Sequence, residues 1–206
     1  VPLINGKVLP ATDVYLPSIK SANRYFVMTS VNVADPDEPV DQKAVLSENG
    51  QCYVSSKNIY IYEEKWSTYV QRSDSNDGCS VMIRKIAYED GQLKGEAEGK
   101  VNGYLNDSFS IDEYKGNLRL VTTIDGEVTT NAVYVLNEDM EIIGEITDLA
   151  EDEVVYSARF YGDTGYFVTY EQTDPLFSVD FSDPENPKIL GKLKIPGFSE
   201  YLHLLQ

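Results

Sequence analysis

Histidine is almost absent from this chain. Among 206 residues there is one, His203, which excludes any site built on several imidazoles, the usual zinc centres included. Cysteine is nearly as scarce: Cys52 and Cys79 are the only two. They are too few for a disulfide framework and lack the spacing of metal ligands. Basic charge is also short, with 17 Lys and Arg against 34 Asp and Glu and a formal charge of −17. Such a chain repels phosphate backbones and anionic headgroups, so nucleic acid and bare membrane surfaces are poor partners. The acids are spread along the chain in the manner of a solvated surface. No apolar run approaches the ~20 residues of a membrane span, so none is expected. Val1 opens no recognisable signal peptide, which leaves a removed targeting segment or a fragment. Phosphate-binding glycine loops and nucleophile elbows are missing as well. No catalytic signature stands in the sequence.

What the chain does contain is apolar and aromatic: 42% hydrophobic residues, with 15 Tyr and 7 Phe. That is enough for a packed core and argues against global disorder. Helical periodicity is nearly absent. Short β-branched and aromatic runs, punctuated by Gly, Asn, Asp and Pro, predict strands throughout.

Three short segments are copies of one another. Gln92–Ala97, Glu141–Ile146 and Lys188–Leu193 share an apolar, any, Gly, charged, apolar pattern, with Gly95, Gly144 and Gly191 spaced by 49 and 47 residues. Such a period marks one supersecondary unit repeated in series. The clearest unit predicts strands at Val155–Phe160, Tyr166–Tyr170, Leu176–Phe181 and Lys188–Leu193, with a turn at Ser182–Pro187. The unit before it predicts Phe109–Tyr114, Leu118–Thr122, Ala132–Leu136 and Glu141–Ile146. Val121-Thr122 and Val168-Thr169 repeat at 47 residues, the offset of Gly144 and Gly191.

An earlier unit predicts Cys52–Val54, Ile59–Tyr62, Val81–Ile86 and Gln92–Ala97, with an insertion from Glu63 to Ser80. Before it, Tyr25–Val33 runs into Ala34–Pro39, an Asp-Pro turn that mirrors Ser182–Pro187. Asp accepts backbone N–H bonds in such turns and Pro sets φ.

Four short antiparallel strands joined by hairpins form one propeller blade. The predicted fold is therefore an all-β propeller of four-stranded antiparallel blades. Three are complete (residues 50–99, 106–148 and 153–195) and one is partial (1–47), within a single domain over 1–206. An open flank would expose on the order of 500 Å² of apolar surface, about 12 kcal/mol, comparable with a whole domain's stability. Residues 1–24 completing a fourth blade, a second copy, or a missing segment are each expected to cover it.

At this point a family resemblance emerges. Arg159-Phe160, Tyr166–Tyr170, Asp174–Phe177, Asp183–Pro187, Ile195–Ser199 and Tyr201-Leu202-His203 resemble the bacterial secreted β-propeller family distantly related to WD repeats. Asn106–Tyr114 with Gly116 and Leu118-Arg119 resembles that family's other strong segment. The resemblance implies a propeller outside a bacterial membrane, secreted or tethered. It brings no reaction, ligand or active-site residues with it.

The candidate chemistry is sparse. Asp112 and Glu113 are adjacent on a strand and point to opposite faces, so they cannot form a facing glycosidase pair; hydrogen bonding between blades is their expected role. Asp74, Asn76 and Asp77 before Gly78 offer oxygens to calcium, the one cofactor candidate, but without the spacing of an EF-hand loop. A solvated loop is the alternative. Cys52 and Cys79 flank strands of one blade on the same face, which allows a loop-stapling disulfide in an extracellular setting, against two separate thiols. Trp66 and Tyr69 on the insertion form an aromatic platform for sugar or peptide, unless the insertion folds back and buries them. His203 lacks a nucleophile partner and is expected to pack or hydrogen-bond. The functional expectation is an extracellular, non-enzymatic binding or scaffold module for a protein, peptide or glycan, carried on loops of a rigid body. The alternative is a carbohydrate-active hydrolase or lyase using acids near the propeller axis.

Overall fold

The structure, a computed structural model, describes residues 2–4, 6–16, 23–66, 78–170, 174–195 and 202–203. The chain divides into two units, Val1–Glu63 with Ile83–Glu98 and Glu64–Met82 with Gly99–Gln206. Among the described residues all regular structure is β apart from one 3-10 turn, and no sheet closes on itself.

The chain opens with a short hairpin, β1 (Leu3–Ile4) and β2 (Lys7–Val8), followed by a 3-10 turn at Ala11–Asp13. Next come β3 (Val14–Tyr15), β4 (Arg24–Asn32) and β5 (Asp35–Ser47), a three-stranded sheet of order β3-β5-β4. The β3–β5 pairing is parallel, not the antiparallel pairing of a fourth blade strand. The predicted turn at Ala34–Pro39 is corrected to a two-residue turn, Val33-Ala34, where Asn32 Oδ1 accepts the Ala34 N–H at 3.0 Å. Asp35–Pro39 already belongs to β5 and lies opposite Val31 and Asn32 across shifts in register. Proline is tolerated there because β3 reaches β5 only at Ala44 and Val45, which leaves one edge of β5 unpaired over Asp35–Pro39 among the described residues.

Three four-stranded antiparallel sheets follow. The first contains β6 (Gln51–Val54), β7 (Asn58–Trp66), β8 (Cys79–Glu89) and β9 (Gln92–Asn102). The second contains β10 (Ile111–Tyr114), β11 (Asn117–Ile124), β12 (Thr130–Leu136) and β13 (Ile142–Leu149); the third contains β14 (Val154–Tyr161), β15 (Thr164–Tyr170), β16 (Asp174–Asp180) and β17 (Lys188–Ile195). In each sheet neighbours in sequence are neighbours in space. Tight hairpins make this possible: Asp90-Gly91 and Lys115-Gly116 both place two consecutive residues at positive φ, the conformation that two-residue hairpin turns require. Gly95, Gly144 and Gly191 all fall on fourth strands. The sheets are those of the predicted all-β, four-stranded class. The predicted insertion is shorter than expected at both ends, since β7 runs on to Trp66 and β8 begins at Cys79. The first strand of the second sheet also starts late. Asp107 Oδ1 accepts the Phe109 N–H at 2.9 Å and holds a turn where strand was expected.

In the first unit the core gathers Met28, Val45, Ile61, Ile86 and Leu93. Glu63 and Arg84 are buried beside it, with Arg84 Nη2 2.9 Å from Glu63 Oε1. In the second unit Val121, Val133, Val135, Val155, Ala158, Phe167, Phe177, Val179 and Phe181 form one cluster drawn from both of its complete sheets. Polar contacts join the same two sheets. Arg119 is buried against the rings of Tyr114, Phe160 and Phe181, at 4.8, 5.0 and 5.2 Å. It pairs with Asp112 and donates from Nη1 to the Gly162 carbonyl at 2.6 Å. Asp112 thus reaches the next sheet through Arg119.

The repeated glycines have a steric role. A β-carbon at Gly144 would lie 2.3 Å from the Pro184 carbonyl oxygen and 2.8 Å from the Pro187 ring. The Ser182–Pro187 turn of the third sheet therefore rests on the outer strand of the second. Asp183 shapes that turn, accepting the Glu185 N–H at 3.2 Å and the Asn186 side-chain amide at 2.9 Å. At Gly99 on β9 the Met140 carbonyl of the next β12–β13 turn makes the same approach, 2.5 Å from a β-carbon position. Gly95 instead carries the Tyr15 ring, and its N–H donates to the Tyr15 hydroxyl at 2.9 Å.

Candidate functional site

Two open clefts lie in the first unit. One of about 330 Å³ is bounded by Arg24–Phe26 and Ser47–Gly50. Another of about 260 Å³ is lined by Tyr15, Leu16 and β8–β9 residues, where Arg84 and Lys85 are matched by Glu98 and Glu96, each at 3.1 Å. Their charges are neutralised in place. The second unit offers a different surface, built on Trp66.

Trp66 ends β7 and is 55% exposed, although it is the largest side chain in the protein. Its ring leans on Tyr104, with centroids 5.7 Å apart and planes at 31°. Tyr104 is fixed by its backbone, which exchanges two hydrogen bonds with Thr123, at 2.8 and 3.0 Å. Gly103 makes this bridge possible: its φ is +93°, and a β-carbon there would lie 2.4 Å from the Thr123 carbonyl oxygen. The Gly103 N–H in turn donates to the Cys79 carbonyl at 2.9 Å. Three separate segments thus hold one aromatic pair.

Two carboxylates act on this corner. Burial raises the Tyr104 phenol above its ordinary value, and the charges of Asp125 and Glu64 add to the rise against a hydrogen bond with Thr123. The Cys79 thiol is pushed up to about 11 by burial first and then by Glu64 and Asp125. It stays protonated near neutrality and is no nucleophile. An exposed aromatic face in a field of negative charge suits a ligand rich in C–H and O–H groups, or one carrying a cation.

Trp66 is on the surface, at a strand end with Tyr104 as its partner. Tyr69, Asp74, Asn76 and Asp77 lie outside the described residues. Cys52 and Cys79 are free thiols, one of the two states that the sequence left open. Cys52 is exposed on β6 whereas Cys79 is buried at the start of β8. In the native protein at pH 8, Cys52 should alkylate with iodoacetamide at least tenfold faster than Cys79. Equal rates by peptide mass would contradict this environment for Cys79. His203 is exposed. Among the described residues no group of three or more His, Cys, Asp or Glu could hold a metal ion, and no helix is long and apolar enough to cross a membrane.

Tyr104, Glu64 and Asp125 were missed in the sequence. Gly103, two residues before Leu105 and just past a predicted fourth strand, was the one local sign of a close approach.

A model of the family described as beta propeller domain matches residues 1–206. An uncharacterized protein of Archaeoglobus fulgidus is 53% identical over 142 residues, covering 69% of this chain and 22% of that protein. An uncharacterized protein of Methanocaldococcus jannaschii is 46% identical over 125 residues, covering 59% of this chain and 20% of that protein. The chain spans about a fifth of the length of the curated relatives it matches. Both relatives are archaeal, where the resemblance in sequence implied a bacterial family. With a family match along its whole length and repeated four-stranded sheets in its fold, the chain belongs to the beta propeller domain family.

Proposed function

We propose that this chain is a non-enzymatic binding module working outside the cell, secreted or membrane-tethered, and that it takes a glycan on the Trp66–Tyr104 edge. The observation that carries this reading is an exposed tryptophan backed by a fixed tyrosine, on which the charges of Glu64 and Asp125 act. Apolar sugar faces stack on aromatic rings, and carboxylates accept from sugar hydroxyls.

The test is direct because Trp66 is the only tryptophan, so indole fluorescence reports this site alone. Titration with a panel of neutral oligosaccharides should give a saturable emission change for at least one of them. Trp66→Ala should weaken that binding at least tenfold, about 1.4 kcal/mol, measured by calorimetry, with the Tm unchanged. An emission spectrum that no sugar alters would sink the glycan reading; saturation by a basic peptide instead would reassign the ligand.

The rival reading, a carbohydrate-active hydrolase or lyase, needs two carboxylates facing each other across ~5–10 Å. Asp112 is engaged with Arg119 instead. Reducing ends released from a bound sugar would favour the enzyme. Calcium on Asp74, Asn76 and Asp77 belongs to the same proposal, and a Tm unmoved by millimolar calcium would remove it.

A further inference from the structure

An Asn-Gly pair is chemically labile without any enzyme. The glycine backbone nitrogen attacks the asparagine side-chain carbonyl, and glycine leaves that nitrogen unhindered because it has no β-carbon. The chain holds three such pairs, Asn5-Gly6, Asn49-Gly50 and Asn102-Gly103. Asn5 lies outside the described residues. The other two stand in opposite surroundings.

At Asn102-Gly103 the nitrogen is engaged. The Gly103 N–H donates to the Cys79 carbonyl and the Asn102 carbonyl accepts from Thr122 Oγ1, both at 2.9 Å. Asn102 also ends β9, so its backbone is held on both sides of the reacting bond. Asn49 and Gly50 instead lie between β5 and β6, with Asn49 exposed. Among the described residues no backbone hydrogen bond holds the Gly50 N–H. The pair borders the open cleft of about 330 Å³, where water reaches it. Arg24 Nη1 donates to Asn49 Oδ1 at 3.5 Å, which sets a positive charge beside the oxygen that turns anionic as the nitrogen adds. Nor is Gly50 replaceable: a β-carbon there would lie 2.6 Å from Ser47 Oγ. The packing that requires glycine keeps the labile pair.

We propose that Asn49 is a self-modification site, converting in the folded chain to aspartate and isoaspartate. The Gly50 nitrogen bonds to the Asn49 side-chain carbonyl carbon. Its proton passes through solvent to the amide nitrogen, whose C–N bond breaks and which leaves as ammonia. Water then opens the cyclic imide at one carbonyl or the other. One opening gives aspartate; the other routes the backbone through the side chain as isoaspartate. Nothing is oxidised or reduced. Isoaspartate lengthens the backbone by a methylene next to Glu48, whose N–H holds Glu63 together with Ser47 Oγ. The modified chain therefore loosens its grip on the buried Glu63–Arg84 pair.

The test is incubation of the full folded chain at pH 8, read by peptide mass and by labelling with an isoaspartyl methyltransferase. Asn49 should convert at least tenfold faster than Asn102. In urea, where only local sequence acts, the ratio should shrink to a few-fold. Arg24→Ala should slow Asn49 at least threefold in the folded chain and leave the unfolded rate unchanged. Asn49→Asp should unfold at the urea midpoint of the fresh chain, whereas the isoaspartate fraction should unfold at a lower one. Asn102 converting as fast as Asn49 in the folded chain, or isoaspartate formed only in urea, overturns the proposal. An unslowed Arg24→Ala chain removes the guanidinium from it, and an unshifted midpoint removes the loosening of Glu63.

Discussion

Replacing Asn131 with leucine should lower the stability of the second unit by about 3 kcal/mol, a fall in Tm of roughly 6–12 °C for a chain of this size. Asn131 is fully buried on β12. Its amide donates toward the carbonyls of Leu149, Ala150 and Glu153 at 3.1, 3.2 and 2.9 Å. Its carbonyl accepts from Thr123 Oγ1 at 2.8 Å, and that hydroxyl accepts the Val155 N–H at 2.9 Å. The network holds the β13–β14 connection, where Asp148, Ala150 and Asp152 all adopt positive φ, at 56°, 50° and 62°. Such residues persist only where their surroundings hold them. Leucine fills the space but leaves buried carbonyls without a donor, each about 1–3 kcal/mol. Thr123→Ser keeps the hydroxyl and should fall by a third of that or less. If Asn131→Leu melts within 2 °C of the unsubstituted chain, the network does not hold the turn.

Arg84→Ala should be as damaging to the first unit, at about 3–5 kcal/mol, because it strands a buried carboxylate. Glu63 accepts from Ser47 Oγ at 2.9 Å and from the Glu48 N–H at 3.0 Å, besides pairing with Arg84. Burial alone would raise its pKa. The bonds from Glu48 and Ser47 and the Arg84 charge outweigh that and hold it below its ordinary value. A carboxylate depressed in the folded state contributes stability above its unfolded pKa and loses it as pH falls through the folded one. Urea unfolding from pH 7 down to acid should therefore show a loss beginning near pH 5, and Glu63→Gln should flatten that slope. The double substitution Glu63→Leu with Arg84→Met removes both charges together and should cost far less than Arg84→Ala. Equal losses would mean that the pair is not the unit of stability.

The features legible in the sequence are those written locally. Val121-Thr122 and Val168-Thr169, the hairpin glycines and Gly144 with Gly191 each encode a strand or turn within a few residues, and their spacing orders the sheets. What escaped depends on distant partners. β3 joins β5 in parallel through two residues only, Val14 and Tyr15, which leave no periodic pattern. Asp35–Pro39 has the composition of its mirror turn but joins β5, because one edge there is free to accept proline. Tyr104 stands between predicted strands, and its pairing with Trp66 is set by a bridge to Thr123 that no local motif records. The site was half visible for the same reason: an aromatic residue can be picked out alone, but its platform is tertiary.

Successive four-stranded sheets stack by seating the third-to-fourth strand turn of one on an outer-strand glycine of the sheet before it, at Gly99 and at Gly144. Thermal melting of Gly144→Ala beside Gly191→Ala, at a concentration where the chain is monomeric, tests it most directly. Gly144→Ala forces a methyl against the Pro184 carbonyl at 2.3 Å and should cost about 1–3 kcal/mol. Gly191→Ala meets open space and should be neutral or slightly stabilising. Equal losses at the two positions, or none at Gly144, would contradict the stacking.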